Sequence, residues 1–485
     1  MINRLAAMKV AIATLVLIKC ILAALTPFSA DFINWILLGR YLQSANIFLG
    51  LYTGPSFIFA AVYDVWLAVT HNPQVVDQLY HAYWSGPNIV KPSPIIFAFT
   101  FVMKTPLLLA DALTVYIIFR IVKRRETSEE RGLTAGLLWA SSPFIFLLEM
   151  INTVEIYPAL LIMLGSYAIY LSKVKMGSAL LALGSVLRLG PLLISWVYVL
   201  GLARSREYRT LIEFLAVQFA FFGLGATYVI LRYGTNAIVQ LLTERPGIII
   251  PEGLVFVGPF LASSIALNPY GLGLGATFAI LVAYVITKPT FWRDRALGAE
   301  VIGVFGTYFA LVGFYIQFFL WTIPMLVVFA AVTDFGSRRF LVVTGLGFFV
   351  ALQGEVSRYG AAQGRAILFV PNLDGNMASV SSILSAITWH PLVVALARSL
   401  FSASLVLAVF WAIKSSVTPN PHLDTTAETP SESGMQPSGS SLTLDYKRST
   451  ELQRNQIPQS QGDSSHESCW SDRQLGLHRQ VAAPT

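Results

Sequence analysis

Ten stretches of the chain are apolar along nearly their whole length: 8–27, 95–121, 133–152, 156–172, 211–231, 267–287, 299–315, 317–334, 340–356 and 391–413. A helix that crosses a bilayer needs about 20 mostly apolar residues, and these runs approach or exceed that length. Two further segments are apolar but interrupted. Gly54, Pro55 and Asp64 break up 47–70, and Arg188, Gly190 and Pro191 break up 177–203. The pattern predicts an all-α, polytopic integral membrane protein with about 10 to 13 transmembrane helices. The first run is too long for a signal peptide and lacks its small-residue cleavage site, so a retained span is expected. From Val417 onward the apolar pattern stops, and Ser, Pro, Gln, Thr and acidic residues take over. Such a segment buries too little surface to fold. The expected organisation is a membrane domain over 1–416 and a disordered cytosolic tail over 417–485.

Composition sharpens this reading. Hydrophobic residues make up 55 % of the 485 and charged residues 12 %, where an ordinary globular chain carries about 25 % charged residues. The mean hydropathy is +0.64. A chain so poor in charge cannot surround one core with a solvated shell, so lipid is its expected solvent. The net charge of +7 is spread over many short loops. That distribution suits a membrane surface and excludes the concentrated basic face that nucleic acid requires. Two cysteines, Cys20 and Cys469, cannot build a disulfide framework or a closed metal site. Cys20 lies in an apolar run and is expected to be a small buried hydrophobe. Gly271, Gly273 and Gly275 alternate in another run, where close helix packing explains them better than nucleotide binding.

Short cytosolic loops carry an excess of Lys and Arg. The basic groups here are Lys123-Arg124-Arg125, Lys173/Lys175, Arg204/Arg206/Arg209, Lys288/Arg293/Arg295, Arg338/Arg339 and Lys414. All six are cytosolic if 28–93 stays outside, with 47–70 lying on the membrane, and if 177–203 is a broken hairpin that re-enters from the cytosolic side. A competing topology lets 47–70 and 177–203 each cross once, which leaves the first two basic loops outside. The charge bias favours the first arrangement. It also places Asp31, Glu155, Arg188, Tyr315-Gln317 and the loop 357–390 on or near the outer face, where polar groups at the membrane boundary suggest a wet cavity.

Each of these residues admits two roles. Asp31, just after the first run, is suited to take a proton from an attacking hydroxyl, or to cap a helix with Ser29. Arg188 sits beside a Gly-Pro break. Its paired N–H donors suit a phosphate, while snorkelling to the interface explains it equally well. Glu155 is placed to bind sugar hydroxyls or to stand solvated in a loop. Lys104 and Asp111 are seven apart, two turns along one helix face and about 10 Å from each other, so each needs some other partner. Asp111 inside a run is a functional candidate and equally a structural hydrogen-bonding group. The run Tyr315 to Trp321 reads as an interfacial aromatic belt with Gln317 as its polar exception. His71 and His81 flank Asp77 in the outer loop, where a solvated amphipathic segment explains them better than a metal site.

Taken in order, these pieces resemble the GT-C superfamily of membrane glycosyltransferases. The likeness is to the GPI mannosyltransferase catalytic subunit and to prokaryotic mannosyltransferases that use polyprenyl-phosphate-mannose. Asp31-Phe32 is similar to that superfamily's acidic first-loop motif. Tyr52-Thr53-Gly54-Pro55 resembles a Tyr-Pro-Pro stretch with one proline missing. Met103 to Asp111 resembles the opening of the next span, and Glu155 falls where relatives carry an acidic or polar residue. There Ser142-Pro143 replaces Asn-Pro. Leu187 to Pro191 resembles Phe-Lys-x-Tyr-Pro, with Arg for Lys and Gly for Tyr. Gln317 to Trp321 resembles Gln-Tyr-Phe-Leu-Trp, with Phe318 for Tyr. The likeness covers about residues 8–335.

The resemblance implies a GT-C-like fold and an inverting transfer of a sugar, mannose above others. The donor would be dolichyl or polyprenyl phosphate, and the acceptor a glycolipid or lipid-linked glycan. Asp31 would be the base; Arg188 and Lys104 would hold the donor phosphate; Glu155, Gln317 and Tyr315 would contact sugar or acceptor. No cofactor is expected beyond the lipid-linked sugar; no cluster of outer carboxylates near His marks a catalytic metal, and a divalent metal stays an open alternative. Membrane lipids and a small membrane subunit are the expected partners. The site would open on the non-cytosolic face of an ER membrane or a prokaryotic cell membrane. Three rivals remain at this level. An O-antigen ligase or polymerase type of enzyme would make Arg358 and Arg365 central. A transporter should show matching breaks in two halves, and one clear break stands alone here. The third rival is an inactive scaffold, for which the departures at Gly190 and Pro55 leave room.

Overall fold

Every regular element that can be described is a helix. The computed structural model describes residues 3–25, 36, 53–78, 94–150, 154–188, 190–236, 297–311, 316–363 and 391–415, and among these there is no strand. The N-terminal part comprises α1 (Arg4–Leu25), α2 (Thr53–Thr70), α3 (Pro94–Glu126), α4 (Glu129–Ala140) and α5 (Pro143–Met150). Next come α6 (Ile156–Tyr170), α7 (Val174–Leu187), α8 (Gly190–Arg204) and α9 (Tyr208–Tyr233). The C-terminal part holds α10 (Ala299–Leu311), a 3-10 helix (Ile316–Trp321), α11 (Ile323–Val332), α12 (Gly336–Gln363) and α13 (Pro391–Ser415). Four stretches, Arg4–Ala24, Pro94–Glu126, Tyr208–Tyr233 and Leu396–Ser415, are long and apolar enough to cross a membrane. The apolar run 267–287, the glycines at 271–275 and the tail lie outside the described residues.

The helix boundaries follow local chemistry. α4 begins at Ser128, whose hydroxyl accepts from the Arg131 N–H, and Glu129 and Glu130 fill its first turn. Both features suit a helix N-terminus. The run 133–152, read as continuous, is two helices. Pro143 lacks an N–H and biases Ser142 away from helical geometry, so α4 stops and α5 starts afresh. The run 317–334 is likewise divided, because the 3-10 helix ends at Trp321 and α11 restarts from Thr322 with Pro324 in its first turn. Conversely, α2 is unbroken. Gly54 and Pro55 fall in its first turn, where proline has no helical hydrogen bond to lose. α12 continues to Gln363, seven residues into the segment 357–390 expected to be loop. Cys20 is partly exposed rather than buried.

Helices α6, α7 and α8 fold back on one another. Gly165 and Gly177 let α6 and α7 approach closely, since a Cβ on Gly177 would lie 2.4 Å from Ile169 Cγ1 and 2.8 Å from the Gly165 carbonyl oxygen. At the other end of the pair, a Cβ on Gly184 would lie 2.9 Å from Pro191 Cγ. Gln218 on α9 donates to the Ser178 carbonyl at 2.9 Å and to the Ser195 hydroxyl at 3.3 Å. Residues ten before and seven after the break at Arg188 therefore lie side by side, so the segment read as a broken hairpin is an antiparallel helix pair with Arg188 at its tip.

The directions of the helices gather the described basic groups at one end of the bundle. Arg4 pairs with Glu130 at 2.9 Å and Lys9 with Glu129 at 2.8 Å, tying the start of α1 to the α3–α4 turn. Lys123 lies 3.6 Å from the same Glu129, and Arg125 donates to the Tyr170 hydroxyl at 3.1 Å. Tyr170 closes α6, so the Lys173/Lys175 turn lies there too, and the returning hairpin brings Arg204, Arg206 and Arg209 alongside. α11 leaves Trp321 at the hairpin tip and runs back, so α12 starts at the basic end. The Arg339 guanidinium lies 4.4 Å from the Trp411 ring centre and Lys414 4.9 Å from it. The group Lys288/Arg293/Arg295 lies outside the described residues. At the opposite end α2 packs on α3, with Trp66 and Tyr63 edge-on to Phe99 at 5.1 and 6.3 Å. Phe99 precedes the end of α3 by 27 residues, about 40 Å of helix.

Candidate functional site

Three elements converge where the hairpin turns. Glu155 immediately precedes α6, Arg188 occupies the break in extended conformation (φ −155°, ψ 145°), and Trp321 ends the 3-10 helix. Arg188 Nη2 lies 2.8 Å from Glu155 Oε1, and the Trp321 indole N–H donates to Glu155 Oε2 at 2.8 Å. Glu155 is 0 % exposed and Arg188 9 %. A carboxylate out of water needs a paired charge and hydrogen bonds to both oxygens. Here Arg188 supplies the charge beside Oε1 and Trp321 the hydrogen bond to Oε2, so Glu155 is not the solvated loop carboxylate that one reading allowed.

Gly190 makes this contact possible. A Cβ there would stand 2.1 Å from Trp321 Cζ3 and 2.3 Å from Cε3, both atoms of a ring 7 % exposed. The indole packs against the backbone that opens α8, where no side chain fits. Phe305 at 5.6 Å and Phe309 at 6.5 Å also pack against the ring. The guanidinium is thus fixed by a carboxylate, the carboxylate by an indole, and the indole by a glycine. α6 is 15 residues long, about 22 Å of helix, which separates this cluster from the basic end.

A second buried ion pair has the same form. The Lys19 ammonium donates to Asp111 Oδ2 at 2.9 Å, and the Trp139 indole N–H donates to Asp111 Oδ1 at 2.6 Å. Lys19 also lies 5.2 Å from the centre of the Phe146 ring. The partner that Asp111 needed is therefore on α1, and the carboxylate ties α1, α3 and α4 together. Lys104 is 1 % exposed, two turns from Asp111 on α3. A third buried carboxylate, Glu300, accepts from the Tyr198 hydroxyl at 2.8 Å and joins α10 to α8.

Of the residues singled out by sequence, Glu155 and Arg188 are brought together. Lys104 is placed, buried, on α3. Asp31 and Tyr315 lie outside the described residues, as do Arg365 and His81. Gln317 is placed by its backbone alone, in the 3-10 helix four residues before Trp321, and Arg358 likewise on α12. No three His, Cys, Asp or Glu side chains gather as a metal site among the described residues. Trp321, Gly190, Lys19 and Trp139 were not singled out as partners. Trp321 read as one more belt aromatic, although an indole near a candidate acid is a hydrogen-bond donor whenever both are buried. No model of a known protein family matches the sequence, and no curated protein matches it.

Proposed function

We propose that the chain is a multi-pass membrane protein that transfers a sugar, mannose in the first instance, from dolichyl or polyprenyl phosphate to a glycolipid or lipid-linked glycan. The observation that carries the reading is the guanidinium of Arg188, fixed at a hairpin tip remote from the basic turns. With the basic end cytosolic by the Lys/Arg bias of short loops, the tip lies toward the non-cytosolic leaflet. α1 starts at the basic end and runs away from it, so Asp31 follows its far terminus by six residues. α2, packed beyond the length of a bilayer-spanning stretch of α3, fits a helix lying on the outer surface.

In this reading Asp31 accepts the proton of the acceptor hydroxyl. The acceptor oxygen bonds to the anomeric carbon on the face opposite the phosphate as the bond from that carbon to the phosphate oxygen breaks, with inversion. The electron pair leaves on the lipid phosphate, and the charge that grows there is met by Arg188 and Lys104. A guanidinium already oriented by a buried carboxylate needs no reordering when that charge develops, which is the form of assistance that costs least. Gln317 and Tyr315, on the segment leading to Trp321, contact the sugar. Glu155 serves by holding Arg188.

The test uses purified protein in lipid nanodiscs. Mass spectrometry of co-purified lipid should find a polyprenyl- or dolichyl-phosphate sugar, and Asp31→Asn should abolish glycan assembly in a null strain at normal expression. Retained activity in Asp31→Asn rejects the mechanism. Loss in Arg365→Ala alone would favour a ligase, and solute transport without glycosyl transfer would favour a transporter.

A further inference from the structure

The hairpin that carries Arg188 at its tip encloses a cleft at its base. Its walls are the α6–α7 turn, the α8–α9 turn and the first turns of α7 and α9, and its volume is about 500 Å³. The floor is apolar and aromatic, formed by Ile169, Tyr198, Leu202 and Phe214. The rim bears both signs of charge, Lys173 and Lys175 on one side and Glu207 and Glu213 on the other. The tip cluster lies a helix length away, so this cleft is separate from the site proposed above.

The four rim charges are not equivalent. Glu213 is shared, with Lys175 Nζ 3.6 Å from Oε2 and Arg209 Nε 3.6 Å from Oε1. Lys173 and Glu207 have no ion-pair partner among the described residues. Glu207 precedes α9 without using its side chain as a cap. One cation and one carboxylate thus face a half-enclosed cleft with an apolar floor.

We propose that this cleft binds the headgroup of an aminophospholipid. The phosphodiester lies against Lys173 and Lys175, the primary ammonium donates to the Glu207 carboxylate, and the acyl end of the headgroup meets the apolar floor of Ile169, Leu202 and Phe214. Charge complementarity selects the class. A phosphoethanolamine headgroup carries one anion and one hydrogen-bonding cation, matching the lysine side and the glutamate side of the rim. A choline headgroup has a cation with no N–H to give Glu207. A phosphoglycerol headgroup brings no cation at all and leaves the carboxylate facing a net negative ligand.

The experiment is native mass spectrometry of the full-length protein with equimolar phosphatidylethanolamine, phosphatidylcholine and phosphatidylglycerol of matched chains. The expected result is several-fold preferential retention of phosphatidylethanolamine. Glu207→Gln should reduce that retention to the level of phosphatidylcholine, and Lys173→Ala should weaken all three. Both residues are on the surface, and an unchanged melting temperature verifies that the variants are folded. Equal retention of the three lipids, or a Glu207→Gln variant that keeps the preference, overturns the proposal. Displacement of the lipid by glycerophosphoethanolamine at equal concentration overturns the lipid assignment by making the free headgroup sufficient. None of these outcomes depends on glycosyl transfer.

Discussion

Two tryptophans decide how buried charge is tolerated in this molecule. Glu155 and Asp111 each receive one cation and one indole N–H, at 2.6 to 2.9 Å. Removing one member of a buried pair leaves the other uncompensated, at a cost of about 3–5 kcal/mol. Glu155→Gln and Asp111→Asn should therefore each destabilise the fold on that scale, measured by thermal or denaturant unfolding in detergent. Trp321→Phe keeps the ring and removes the donor, so the expected loss is smaller, about 1–3 kcal/mol. The double replacement Lys19→Met with Asp111→Leu should recover most of what Asp111→Asn loses, since it leaves no charge stranded. Sequence made part of this legible. Spacing alone showed that Lys104 and Asp111 cannot pair with each other, but nothing in it points to Lys19, which meets Asp111 through tertiary packing across 92 residues. Gly190 read as a departure from the tyrosine of the motif it resembles, whereas the Trp321 ring occupies the space a side chain there would need.

At the scale of elements, the break at Arg188 was legible because Arg-Leu-Gly-Pro leaves a helix no way to continue. How the resulting hairpin packs on its neighbours depends on small residues that the apolar pattern does not distinguish. Gly177→Leu should separate α6 from α7, because the added atoms meet Ile169 and the Gly165 carbonyl, and a loss of about 1–3 kcal/mol is expected in the same unfolding assay. The breaks before Pro143 and after Trp321 were not expected, because the apolar pattern runs through both although Pro143 and Pro324 mark them. The α3–α4 turn gives a prediction in pH. Lys9, by hydrogen bond, and then the charge of Lys123 hold the Glu129 carboxyl below its ordinary value of 4.5. A lowered folded value means the stabilisation is fully present above about pH 4.5 and is lost as pH falls through that lowered value. Glu129→Gln should therefore flatten part of the acid-side fall in melting temperature and leave the neutral side nearly flat. An unaltered acid limb in that variant would remove Glu129 from the account.

The described helices of the membrane domain are polar in one direction. Its described basic turns share one end, and its fixed guanidinium, the α2 platform and the far terminus of α1 share the other. The gathering of the described basic turns at one end was the most legible of these features, because the charge of short loops can be read without knowledge of helix packing. The site was less legible, since its geometry depends on contacts between Glu155, Arg188, Gly190 and Trp321, which span 166 residues of chain. The proposed function rests on sidedness above all, because a lipid-phosphate donor would have to meet both Asp31 and Arg188 in one leaflet. Sided labelling measures this directly. In a Cys20→Ser, Cys469→Ser background, single cysteines at Ala30, Arg124 and Lys173 are treated with a membrane-impermeant maleimide in sealed vesicles of known orientation. The account predicts that Ala30→Cys reacts from the non-cytosolic side, and that Arg124→Cys and Lys173→Cys react from the cytosolic side. Labelling of Ala30→Cys from the same side as Arg124→Cys would contradict it.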